Sequence, residues 1–303
     1  MTHRIINGKE TSTQGFEDIY PFAPNYMDIN GHKLHYVDQG EGRPVVMVHG
    51  NPTWSFYYRN LITELSQTHR TIVPDHIGCG FSDKPDAKSY GYTLENRVSD
   101  LGTLIDSLNL TEKISLIVHD WGGMIGLAWA MDNLDRVDKI VITNTAGFFL
   151  PSDKKLPLIL WMIKHLKWFS VPAVLGANIF AGGALFLGSE TRLSTAVKKG
   201  LIAPYNSWKN RIATLRFVQD IPLTAEDPSY AIVDKVDREL ARLDPKKLMF
   251  LWGPRDFVFD KSFLAEFRRR FPETPAHVFE DAGHYLFEDK PKETLELIKS
   301  FLI

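Results

Sequence analysis

One cysteine stands in 303 residues, Cys79, so no internal disulfide can form and the chain fits a reducing compartment. Set between Gly78 and Gly80, this thiol reads as a small buried side chain, with a nucleophile as the alternative. An excess of either charge is also lacking. The 35 Lys and Arg against 37 Asp and Glu leave a formal net charge of −2, which excludes the basic footprint of a nucleic-acid partner. There is no internal repeat, no low-complexity run, no phosphate loop and no dinucleotide fingerprint. The histidines lack the paired spacing of a metal site, so neither a metal nor a cofactor is expected. The polar start, Met1 to Gln14, has no apolar stretch of the kind a secretory signal needs, and a cytoplasmic location is the expectation. Long hydrophobic runs are scarce as well. One stretch imitates a membrane span: Trp168 to Gly188 carries no formal charge over about 20 residues, the minimum for crossing a bilayer. Pro172, Gly176, Gly182 and Gly183 interrupt it. It reads as buried helices of an inserted cap, with a peripheral membrane contact as the alternative.

Hydrophobic residues make up 44% of the chain, enough for one large core. Tyr26–Ile29 and Lys33–Val37 flank Asn30-Gly31, a hairpin signal. Val45–Val48 is a continuous apolar run, as a buried parallel strand should be. Strands are expected at Thr71–Val73, Ile114–Val118 and Val137–Ile142. Helices are expected at about Phe56–Leu65, Leu94–Leu108 and Met124–Met131. In the second of these, Leu94, Val98, Leu101, Ile105 and Leu108 share one face. Strands alternating with helices imply a doubly wound, mostly parallel sheet. The rhythm breaks from Phe148 to Leu215, where apolar helical segments follow one another. It resumes with Leu248–Trp252, Phe263–Arg270, His277–Phe279 and Glu293–Phe301. Residues 1–147 and 216–303 are therefore expected to form the α/β core, and 148–215 a helical cap inserted after the sixth strand.

In open α/β sheets ligands bind beyond the carboxyl ends of the strands, and the candidate residues fall at such ends. Asn51 follows Val45–Val48. Asp120 and Trp121 follow Ile114–Val118, in His119-Asp120-Trp121-Gly122-Gly123. Asp256 follows Leu248–Trp252, and His284 follows the last strand. An apolar strand entering a polar corner, a Gly pair and a helix is the layout of a nucleophile elbow, and nucleophile, acid, His is the order of its triad. The usual occupant is Ser; here it is Asp120. The reading assigns Asp120 as nucleophile, His284 as base and Asp256 as triad acid, with Asp260 as the alternative acid. Asn51 and Trp121 are expected as donors to developing negative charge, against the plainer roles of helix cap and packing residue.

Three segments resemble the haloalkane dehalogenase branch of the α/β-hydrolases: His49-Gly50-Asn51-Pro52-Thr53, the run from Pro74 to Pro85, and His119 to Gly123. The likeness extends over nearly the whole chain from Asn25. Asn51, together with an acid after the seventh strand, is similar to the third dehalogenase subfamily, largely the β-lactone decarboxylases of bacterial long-chain olefin synthesis. Trp54–Arg59, Ala203–Trp208 and Arg216–Pro222 match that group too. The resemblance implies an α/β-hydrolase fold with a helical cap, a hydrophobic small-molecule substrate, and work beside other olefin-pathway enzymes such as a β-lactone synthetase.

Chemistry gives the Asp its meaning. A serine attacking saturated carbon would leave an ether that water does not readily open, whereas a carboxylate leaves an ester that it does. Asp120 thus suits displacement of halide, epoxide oxygen or lactone oxygen, or attack on a strained lactone carbonyl. The leading expectation is decarboxylation of a long-chain cis-dialkyl β-lactone to a cis-olefin, and the alternative is haloalkane hydrolysis. Epoxide hydrolysis would need tyrosine acids over the site, for which Tyr205 is the candidate. A binding protein on the same fold is the reading from a different class.

Overall fold

The computed structural model describes residues 1–303. At its centre lie eight strands: β1 Asn25–Ile29, β2 His32–Gln39, β3 Pro44–Val48, β4 Arg70–Pro74, β5 Ile114–Asp120, β6 Val137–Thr145, β7 Leu248–Trp252 and β8 Ala276–Val278. Their spatial order is β1-β2-β4-β3-β5-β6-β7-β8. β2 runs antiparallel to β1 and β4, and every other pair is parallel. The β1–β2 turn is Asn30-Gly31, with φ of 52° and 82°, the left-handed pair that a two-residue hairpin of this twist requires.

The two-residue period of the strands sorts their side chains to opposite faces. Val46, Val48, Leu116, Val118, Ile140 and Ile142 join one buried cluster, with the helices Leu94–Ser107 and Trp121–Asp132. Val45, Met47, Ile117 and Val141 join the other, with Tyr57, Tyr58, Leu61 and Ile298. Both faces are covered, which is why these strands read as unbroken apolar runs. β3 has β4 on one side and β5 on the other. The sheet order therefore reverses there, and a crevice opens at the carboxyl ends of β3 and β5.

Between β6 and β7 the chain is helical. The main helices are Leu158–His165, Lys167–Ser170 continuing as a wider turn Val171–Gly176, Ile179–Leu187, Thr195–Ile202 and Ile212–Gln219. Leu160, Ile163, Val174, Leu175, Leu215 and Val218 form a small core of their own. Two expectations change. Ile212–Gln219 is one helix, contributing Leu215 and Val218 to that small core, so it crosses the boundary expected between 215 and 216. The segment 168–188 is helical but is not buried throughout: Trp168, Phe186 and Leu187 are exposed, because these helices form an outer layer with one side packed inward. No single helix is long and apolar enough to cross a membrane, and the helix pair Leu158–His165 and Lys167–Gly176 is bent by 100°.

The start of the chain forms a separate hairpin, His3–Ile6 with Lys9–Ser12. Arg4 donates to the Phe81 carbonyl (2.6 Å), and Asn7 donates to the Lys84 carbonyl and to Asn210 (both 2.9 Å). This hairpin joins the loop after β4 to the inserted segment.

Candidate active site

β5 ends at Asp120, and the helix Trp121–Asp132 begins at the next residue. The chain can turn so sharply only because Asp120 takes φ 53° and ψ −130°, a conformation that costs of order 1–3 kcal/mol in a non-glycine residue and is found where function requires it. Two glycines make room. A Cβ on Gly122 would lie 1.8 Å from the Val48 carbonyl oxygen, and one on Gly50 would lie 1.9 Å from Asp120 Oδ1. Thr145 at the end of β6 donates its hydroxyl to the Asp120 carbonyl and ties the corner to the neighbouring strand.

The Asp120 carboxylate is buried, and its Oδ1 accepts the Asn51 backbone N–H at 2.6 Å. Burial raises its pKa to about 6, against the pull of His284 and of the Trp121 and Asn51 backbone N–H groups. The group is still mainly ionised at neutral pH, but nearer to titration than its ordinary value suggests. His284 Nδ1 donates to Asp256 Oδ2 at 2.7 Å, and His284 Nε2 lies 3.9 Å from Asp120 Oδ2. Burial alone would lower the His284 pKa, but the charge and hydrogen bond of Asp256, with the charge of Asp120, raise it. Asp256 is itself fixed: Oδ1 accepts Val258 N–H at 2.8 Å and Oδ2 accepts Asn144 Nδ2 at 3.1 Å. Asp260, the alternative acid, is turned away. It caps the helix Lys261–Arg270 through Ser262 N–H and pairs with Lys154 at 2.5 Å.

All five expected site residues thus meet at the ends of β3, β5, β7 and β8. Asn51 departs from expectation in one respect. Its Nδ2 donates to the Thr214 carbonyl at 3.1 Å, leaving one N–H for the site instead of two, while its buried Oδ1 has no partner. Trp121 is half-buried and lines the same cavity. Tyr205 is not part of that lining; it is buried, and its hydroxyl reaches the Thr53 carbonyl at 3.4 Å.

Other residues brace the site. Asn144 donates to the Gly253 carbonyl (2.8 Å), accepts Gly253 N–H (2.9 Å) and holds Asp256. Its sequence signal was a polar triplet, Thr143-Asn144-Thr145, at a strand end. His119 donates Nε2–H to the His284 carbonyl (2.8 Å), and burial keeps its pKa well below the usual imidazole value. Arg97 is wholly buried, 3.7 Å over the Phe217 ring and 3.5 Å from Asp220. Phe217 in turn packs on Trp121, with ring centroids 5.4 Å apart. A charge three residues after Leu94 and four before Leu101, on the apolar face of its helix, was the signal for Arg97.

Above Asp120 the site opens into a cavity of about 1330 Å³, mouth included, and 21 of its 28 lining residues are hydrophobic. Leu160, Ile163, Phe180, Ala184 and Val218 of the inserted helices form part of its wall, and Asn51, Asp120, Trp121 and His284 are the polar groups within it. Such an enclosure suits a largely apolar guest with one reactive polar centre.

Residues 43–291 match the family model described as alpha/beta hydrolase fold. The chain belongs to the α/β hydrolase fold family. This α/β hydrolase is 48% identical over 287 residues to a cis-3-alkyl-4-alkyloxetan-2-one decarboxylase of Shewanella oneidensis, covering 94% of the chain and 90% of that relative. It is 43% identical to a protein of the same name from Xanthomonas campestris pv. campestris, covering 93% and 97%. Against a haloalkane dehalogenase 2 of Mycobacterium bovis the identity is 33%, covering 90% and 92%. The haloalkane dehalogenase DatA of Agrobacterium tumefaciens shares the fold of this hydrolase with a TM-score of 0.80 at 23% identity, covering 92% and 96%.

Proposed function

We propose that the chain opens a cis-3,4-dialkyl β-lactone, with Asp120 as nucleophile, and releases a cis-olefin and carbon dioxide. The observation that carries the substrate is the relationship to two decarboxylases of such rings, at 48 and 43% identity over more than nine tenths of the chain. The site chemistry supports it. Attack by the carboxylate on the ring carbon that bears oxygen forms an alkyl ester and converts the ring oxygen into a carboxylate. The Trp121 indole N–H and the remaining Asn51 amide N–H are the donors for that charge; one such preorganised donor is worth ~2.7–4 kcal/mol in a transition state. Loss of carbon dioxide supplies the electron pair of the double bond, and Asp120 leaves as the carboxylate it was. The imidazolium of His284, oriented by Asp256, favours that release. The inserted helices act as a cap whose apolar wall takes the alkyl chains and excludes water, since water at the ester would give a hydroxy acid instead.

A haloalkane offers no internal carboxylate to drive elimination. Its ester on Asp120 can be cleared only by water, with neutral His284 as base and Asp256 as the acid that sets its tautomer. The 33% identity to a haloalkane dehalogenase keeps this second activity in view.

The deciding experiment offers a cis-dialkyl β-lactone and 1-bromobutane separately and follows alkene and bromide. Alkene release from the lactone is expected. Rapid bromide release with the lactone untouched overturns the proposal.

A further inference from the structure

The rim of the cavity is as apolar as its interior. Ile159, Ile179, Leu187 and Phe257 line the cavity and are also exposed at the surface, so they mark its mouth. Their chain neighbours extend the same character outward: Leu158 and Phe186, with Leu187, are between 65 and 73% exposed. Trp161 is exposed one turn from Leu158, and Trp168 stands 75% exposed just beyond the bend. Large apolar side chains gathered at a ligand mouth are not what a water-facing surface carries by chance.

The surrounding charge indicates what covers them. Residues 148–219 hold ten Lys and Arg against Asp153 and Glu190 alone, a net +8 in a chain whose total is −2. Only Lys154 and Lys164 of the ten are matched by carboxylates. Lys198 Nζ sits 5.5 Å over the ring of Phe186, and the exposed His165 and Lys167 lie at the bend between Trp161 and Trp168. Exposed Trp and aliphatic tips beside basic side chains are the chemistry of a surface that dips into an anionic lipid headgroup layer. A protein partner would need a complementary apolar and acidic face; elsewhere on this chain, although it is net acidic, the large exposed apolar residues are spread from Met1, Ile5, Ile19 and Tyr26 to Trp208 and Ile303 and form no run along one element comparable to Leu158, Ile159 and Trp161.

We infer that the rim formed by the helices Leu158–Gly176 and Ile179–Leu187 docks on an anionic membrane surface, so that a lipid-like substrate passes from bilayer to cavity without crossing water. The docking rests on the rim itself; only its purpose rests on the proposed lactone substrate. The bent helix pair lies on the surface in this picture and does not span it.

The test uses full-length Asp120→Ala protein, which binds without turnover, with vesicles of phosphatidylcholine alone or mixed equally with phosphatidylglycerol. Co-sedimentation with the anionic vesicles is expected, weakening as salt rises, with Trp emission quenched by brominated lipid. Leu158→Glu/Trp168→Glu/Phe186→Glu, three exposed residues outside the cavity lining, should lower the bound fraction at least tenfold. The same changes in an otherwise native chain should leave turnover of a short, water-soluble β-lactone unaltered. Absence of binding to either vesicle, or binding that the triple variant retains, overturns the inference. So does a concentration-dependent dimer that the triple variant abolishes, which would assign the rim to a second copy. Vesicle binding without turnover of any lactone would count against the proposed function and leave the docking intact.

Discussion

His284 Nε2 lies 3.9 Å from Asp120 Oδ2, while His284 Nδ1 is bonded to Asp256 at 2.7 Å. The imidazole is held by Asp256 and stands off from Asp120. In the proposed mechanism Asp120 as nucleophile and His284 as base are therefore free to act in succession, since no hydrogen bond joins them.

With 1-bromobutane, His284→Gln should still be alkylated on Asp120 and should fail to clear the ester. Intact-protein mass spectrometry should show one butyl adduct, with steady turnover reduced ~10²–10⁴-fold, the usual weight of a general base. An unmodified protein under the same conditions would show that His284 is needed for the first step.

Acid should switch off attack before it disturbs the fold. With Asp120 raised to about 6, kcat/KM should fall about tenfold per pH unit below pH 6, because the protonated carboxyl is not a nucleophile. Once Asp120 is an ester, its charge no longer helps to raise His284. In haloalkane turnover the His284 limb of the hydrolysis step should then lie below that of the free enzyme. Separate pH profiles of kcat and kcat/KM, with pre-steady-state bursts, measure the two.

Asp120→Asn should stabilise the protein as it inactivates it. Burial raises the folded carboxyl to about 6 against 3.8 for an ordinary Asp. The folded state thus binds the proton more tightly than the unfolded one, and stability is lost as pH rises from about 4 through 6. Linkage puts this loss at about 3 kcal/mol above pH 7. The Tm advantage of Asp120→Asn should therefore be present at pH 8 and vanish below pH 4, a comparison that calorimetry makes directly.

Arg97 and Asp220 form a buried pair in which burial pushes the carboxyl up and the guanidinium down. Each ion loses more with its water than its partner restores. Removing one partner should still be costly: Asp220→Ala should lower stability by about 3–5 kcal/mol by stranding Arg97, and activity should fall as Phe217 loosens behind Trp121. Replacing both, as Arg97→Met/Asp220→Leu, should destabilise less. Urea titration of the three variants is the check.

The elements that carry the site were legible because each rests on a local rule. The apolar run into Asp120-Trp121-Gly122-Gly123 announces a strand, a corner and a helix, and Asn30-Gly31 announces its turn. The inserted helices were harder. An apolar helix packed in a core and one lining a cavity near solvent have the same composition, so the exposure of Trp168 and Phe186 could not be read from 168–188. Nor could the helix Ile212–Gln219 be assigned to one side of a boundary, since its apolar face looks alike against either layer. Asp256 and Asp260 differ only by four positions in sequence; what separates them is that one meets an imidazole and the other a helix end. Asn144 is polar at a strand end like many others, and only the return of β7 a hundred residues later gives it Gly253 to hold.

That return has an architectural consequence. Asn144 and Gly253 fasten together the carboxyl ends of β6 and β7, the two strands that flank the helical insertion. Two atoms of one amide side chain make this tie, so the place of Asp256 is set by the sheet itself, while Thr214 and Phe217 of the insertion reach down only to Asn51 and Trp121. Different helices over the cavity would meet Asp120, Asp256 and His284 in register, provided that Thr214 and Phe217 and the core residues Val233, Val236 and Leu240 were kept. In this design the reactive machinery is an heirloom, and the roof above it can be rebuilt for each new guest.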